Sequence, residues 1–117
     1  MAKVYLLQDI PVDSETGRPK YNIMGARKYG DIVIMFRALE QIMLSPGPFI
    51  FSIRQKLKDF TEEDYLLLNG DPAIIGVACS IVSDITNGKY KLIKWDKQER
   101  RYYPIEINLY EKGKIND

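Results

Sequence analysis

The stretch YLLLNGDPAIIGVACSIVSDITNGKYKLIKWD, residues 65 to 96, decides the fold. Tyr65 to Asn69 is a short apolar run of strand length. It stops at Asn69-Gly70-Asp71-Pro72, whose chemistry suits a helix start. The Asp71 carboxylate accepts from exposed backbone N–H groups, and Pro72 takes the first helical position, where its missing donor is not needed. Ile74, Val77, Ala78, Ile81, Val82 and Ile85 then recur at the spacing of one helix face. Ile75 and Cys79 widen that face, and no charge stands between Asp71 and Asp84, so the helix needs cover on more than one side: the sheet, and another helix, a loop or a second subunit. Asn87-Gly88 ends it, with Gly88 suited to the left-handed C-terminal position, and Lys89 to Asp96 resumes as a β-rich run.

Upstream, Val4 to Ile10 reads as a strand ended by Pro11, and Asp31 to Phe36 as a buried strand. Residues 11 to 30 between them form a long loop with no sustained periodicity; loops of this length are often functional. Arg37 to Leu44 is expected to form a short helix stopped by Ser-Pro-Gly-Pro. A second, amphipathic helix starts at Pro48 and carries Phe49, Ile50, Ile53, Leu57 and Phe60 on its apolar side. Downstream, the runs 89 to 96 and 100 to 110 around a short polar turn make a hairpin, with Pro104 pointing to an edge or a bulge. The tail 111 to 117 is expected to fray. Alternating strands and helices favour parallel pairing through right-handed crossovers, so the expected fold is a single α/β domain over residues 1–117. It is a mixed sheet with helices packed on it and a C-terminal β-hairpin.

Composition excludes more than it indicates. The 117 residues are 45% hydrophobic and 28% charged, ordinary for one globular domain, with a formal net charge of +1. That balance supplies no general attraction to nucleic acid or to anionic membranes, and no apolar window is long enough for a membrane span. The N-terminus lacks the marks of a signal peptide, so a cytoplasmic location is expected. The chain contains no histidine, which removes Ser-His-Asp and Cys-His catalysis and His-ligated zinc. Cys79, the single cysteine, sits in an apolar helical stretch and reads as a buried hydrophobe. The acidic run Thr61 to Asp64 lacks the alternating spacing of a calcium loop. No catalytic residue, metal site or cofactor is indicated.

Two places could bind something. At Asn69, Gly70 and Asp71 a strand passes through a glycine turn into a helix N-terminus, a geometry that offers N–H donors to an anion. The turn matches neither phosphate-loop pattern, and Asp71 would repel a phosphate, so capping is the preferred reading. The hairpin is the stronger candidate. From Lys89 to Tyr103 it carries six basic residues against two acidic ones, interleaved with Tyr90, Trp95, Tyr102 and Tyr103. Lys91, Lys94, Trp95, Arg100, Arg101 and Tyr102 are the expected partner-binding residues. Such a surface suits a protein interface, whose anchors are Trp, Tyr and Arg, or single-stranded nucleic acid; the alternative is a hairpin whose aromatics pack inward.

The strand-GDP-x-x-IG-x-A helix beginning at Tyr65, the NGKYKLIKWD run from Asn87 to Asp96 and the Y-x-P-I-x-I strand from Tyr102 to Ile107 resemble small conserved bacteriophage proteins of unknown function, particularly of marine and cyanobacterial phages. The likeness covers the C-terminal half; residues 11 to 48 add little. It implies a protein made inside a bacterial host and brings no catalytic residues. The functional expectation is a non-catalytic accessory protein that binds another protein, of host origin by the phage analogy, as a homodimer through the hairpin and the 11 to 30 loop. The alternatives are a nucleic-acid-binding module on the same hairpin, or a nucleotide- or phosphate-binding enzyme at residues 69 to 72.

Overall fold

The computed structural model describes residues 2–20, 22–38, 40 and 46–111. Along the chain these form β1 (Lys3–Gln8), a 3₁₀ helix (Met24–Tyr29), β2 (Asp31–Phe36), α1 (Gly47–Lys56), β3 (Tyr65–Leu67), α2 (Pro72–Thr86), β4 (Lys89–Asp96) and β5 (Arg101–Asn108). The short helix expected over residues 37 to 44 lies largely outside the described residues, as does nearly all of the tail. The strands make one five-stranded sheet in the order β2-β1-β3-β4-β5. β1 pairs parallel with β2 and β3, β3 pairs parallel with β4, and β5 closes the sheet antiparallel to β4. The expected mixed α/β sheet is the observed one.

Alternation along β1 divides the core into two layers. Tyr5 and Leu7 face α1 and α2, where they pack with Ile53, Leu57, Ile74 and Ala78. Val4 and Leu6 face the other way and pack with Leu67, Ile93, Tyr102 and with Ala26 of the 3₁₀ helix. β2 to β3 and β3 to β4 thus cross over the α-helical face in one direction along the sheet, whereas β1 to β2 crosses over the opposite face in the other direction. All three crossovers share one hand, as parallel connections do. The chain diverges between β1 and β3, and in open parallel sheets ligands bind in the crevice outside the carboxyl ends of the strands at such a point.

The α2 boundaries follow their chemistry. Asp71 is the N-cap and its carboxylate accepts from the Ala73 N–H at 3.3 Å; Pro72 is the first helical residue. At the other end Asn87 is left-handed at φ 56° and Gly88 at φ 80°, and the Gly88 N–H bonds the Ser83 carbonyl at 2.8 Å. The sheet covers Ile74, Ala78, Ile81 and Val82, while Ile75, Val77 and Cys79 pack half-buried against the same cluster. β1 is shorter than its apolar run: Asp9 makes one more sheet bond, to the Phe36 carbonyl at 2.8 Å, and its carboxylate then accepts from the Ile10 N–H. That turns Ile10 out of the ladder and into the layer on the 3₁₀ side.

Asp64, the last residue of the acidic run, is buried by backbone bonding. Its carboxylate accepts from the Lys3 N–H at 2.8 Å and the Thr61 N–H at 2.9 Å, tying the start of β1 to the turn before β3. Pro104 lies in β5, an edge strand, where a missing donor does no harm.

Candidate binding cleft

The site is built where β1 and β3 diverge. Gln8, the last residue of β1, is 2% exposed, a burial its carboxamide tolerates only when fully bonded. Its amide nitrogen donates to the Arg37 carbonyl at 3.1 Å and the Glu40 carbonyl at 2.7 Å, and its oxygen accepts from the Asp71 N–H. The Asn69 side chain in turn donates to the Gln8 main-chain carbonyl at 3.1 Å. Gly70 passes over this carboxamide at φ +105°, and a Cβ there would collide with it. One side chain therefore locks the ends of β1, β2 and β3 together. At the α2 N-terminus the Asp71 and Ala73 N–H groups are held by Gln8 and by Asp71 itself.

Beside this lock, on the 3₁₀ face, opens a cleft of about 540 Å³, within the range of small-molecule sites. Its floor is aliphatic: Leu6, Leu67 and Leu68 from the strands, Ile10 and Ile23 from the loop. Trp95 and Tyr102 form a wall, their rings in an edge contact at 4.8 Å. Lys20 and Arg100 bring positive charge, Asn22 and Asn69 bring amides, and no carboxylate is among the described residues lining it.

Residues 11 to 20 of the loop are tied together by their own bonds. Asp13 bonds the Arg18 carbonyl through its N–H and receives the Gly17 N–H on its own carbonyl, while its carboxylate accepts from Glu15 and Thr16. Val12 and Pro19 then pair as an isolated bridge. The following 3₁₀ helix is fastened to the hairpin: the Tyr102 hydroxyl donates to the Asn22 carbonyl at 3.1 Å and the Tyr29 hydroxyl to the Tyr102 carbonyl at 3.3 Å. Loop, hairpin and the Asn69 turn, separate in sequence, meet in one cleft.

A family model described as Phage Pam3 gp32-like protein matches residues 2–109. The chain belongs to that phage protein family. No curated protein and no solved structure matches it. The family match reaches well beyond the C-terminal half that carries the resemblance in sequence, and takes in every segment that lines the cleft. Like the resemblance, Phage Pam3 gp32-like membership names a phage protein family of unknown function and assigns no role to a residue.

The six hairpin residues expected to bind a partner do not form one surface. Trp95, Arg100 and Tyr102 line the cleft. Tyr102 is 8% exposed and is core as much as wall, whereas Trp95 is 43% exposed. Lys91 shares their sheet face but sits further back, its ammonium 4.9 Å above the Tyr65 ring. Lys94 pairs with Tyr103 and Arg101 with Asp96, positions that alternate onto the opposite, helical face. Of the three residues at the α2 start, Asn69 reaches the cleft. Lys20, Asn22 and Ile23 lie in the 11 to 30 loop, which was expected to take part by its length but in which no residue was singled out, and nothing in the sequence pointed to Ile10.

Burial pushes the Tyr102 phenol above its ordinary 10.0, the Tyr5 phenol likewise with Asp64 and Asp59 adding to it, and the Cys79 thiol above 9.0. Tyr90 is raised by burial and then by Cys79. Each group holds its proton more tightly in the folded chain than in the unfolded one. Its contribution is therefore fully present below the ordinary value and is lost as pH rises through the folded one. The urea midpoint should stay level from neutral pH to near 9.0 and then fall, less steeply in Tyr102→Phe. A midpoint that climbs in alkali would contradict the burial of these groups.

Proposed function

We propose that the protein is a non-catalytic phage accessory protein that acts inside the host by binding another protein through the cleft between the 11 to 30 loop and the hairpin tip. The observation that carries this reading is Trp95: an indole 43% exposed, held by Tyr102 and set beside Arg100 over an aliphatic floor. Trp and Arg next to a pocket are the usual anchors of protein interfaces, where a few such residues supply most of the affinity. A second copy of the chain is among the partners the proposal covers.

The second reading, single-stranded nucleic acid, is favoured by the same Trp95 with Lys20 and Arg100 near it, since a ring takes a base and the cations take phosphate. One experiment separates the two: capture on the tagged full chain from bacterial lysate, with and without nuclease, alongside light scattering of the purified protein. The interaction reading expects a stoichiometric protein that survives nuclease, or a defined oligomer. Recovery that disappears with nuclease, with loss of affinity as salt is raised, moves nucleic acid to first place.

A further inference from the structure

We infer that the cleft receives an acidic peptide segment of the partner, which inserts a bulky apolar side chain onto the aliphatic floor; this rests on the protein-interaction reading above. Leu6, fully buried, and Leu67, 2% exposed, form a base fixed by the core, and the half-buried Ile23 with Ile10 presents the apolar surface an entering side chain meets above it. The cleft, at about 540 Å³, has room for such a side chain together with flanking backbone. Trp95 is held in place by its contact with Tyr102, and Tyr102 by its hydroxyl bond to Asn22, so little ordering is needed when the segment binds.

Charge selects the segment. Lys20 comes from the loop and Arg100 from the hairpin turn, two cations from distant parts of the chain meeting at one cleft without an opposing carboxylate among the described lining residues. An apolar anchor flanked by Asp or Glu satisfies both, and a basic segment is repelled. A nucleotide fits less well. The helix-start N–H groups that would cradle its phosphate are held by Gln8 and by the Asp71 cap.

The test is selection from a random peptide library on the immobilised full chain, in parallel with the double variant Lys20→Glu, Arg100→Gly. Recovered peptides free of tryptophan are then titrated against each protein while Trp95 emission is followed. Trp95 is the chain's single tryptophan, so the signal comes from the cleft wall. Arg100 has φ 54°, a conformation glycine adopts more readily, and Lys20 is exposed in the loop, so the variant should melt no lower than the parent. Expected are peptides that place Asp or Glu beside Leu or Phe, that shift Trp95 emission to the blue, and that bind the variant about tenfold more weakly or worse, a loss of about 1.4 kcal/mol. Enrichment without acidic bias, equal binding to the variant, or no enrichment at all overturns the inference. A Trp95 shift produced by oligothymidylate and by no peptide overturns it in favour of nucleic acid. A lysate partner that the double variant still captures leaves the interaction reading standing and removes this cleft from it.

Discussion

Replacing Gln8 by leucine should lower the free energy of unfolding by about 3–5 kcal/mol, as read by urea denaturation followed by circular dichroism. Leucine has a similar volume, so the change removes bonding and not packing. It removes the Gln8 bonds to the Glu40 carbonyl and the Asp71 N–H and one of the two to the Arg37 carbonyl, which keeps the Glu40 N–H at 3.4 Å. A buried polar group stripped of its partner costs roughly 1–3 kcal/mol, and water reaching part of the junction would recover some of that. Gln8→Glu separates acceptor from donor. Its carboxylate still accepts the Asp71 N–H but faces two carbonyl oxygens it cannot bond, so most of the loss should remain. If leucine were tolerated within about 1 kcal/mol, the divergence of β1 and β3 would be held by sheet pairing and not by this side chain.

The junction also shows what could be read in advance. The strand, helix and hairpin order was legible because each element declares itself locally: Asp71-Pro72 starts α2, Asn87-Gly88 stops it, and Pro104 marks an edge strand. Three-dimensional convergence has no such local sign. Nothing near Gln8 in sequence says that it will bond residues 29, 32 and 63 positions away, because a glutamine ending a strand looks like a solvated terminus. Lys20 and Asn22 were equally silent, since their loop is ordered by an Asp13 turn and a tyrosine hydroxyl from the hairpin and not by a hydrophobic period. The hairpin's chemistry was visible but its sidedness was not. The register with β4 decides that Trp95 and Tyr102 share the cleft face while Lys94 and Arg101 point the other way.

Gly70→Ala should be nearly as damaging as the loss of Gln8, about 3–5 kcal/mol, and for two separable reasons. At φ +105° the backbone is in a region that a Cβ makes costly, by about 1–3 kcal/mol. The new methyl would also fall on the Gln8 carboxamide oxygen and drive it off the Asp71 N–H. The two contributions come apart in a double-mutant cycle. In a Gln8→Ala background the carboxamide is already gone, so Gly70→Ala should add its backbone strain alone, and the two losses should fall short of additivity by about 1–3 kcal/mol. Additive losses would mean that Gly70 serves the turn by itself and makes no room for Gln8. A shortfall would establish that glycine and glutamine, 62 positions apart, form one device. The cleft's Asn69 depends on it, because Asn69 lies next to Gly70 and its side chain bonds the Gln8 carbonyl.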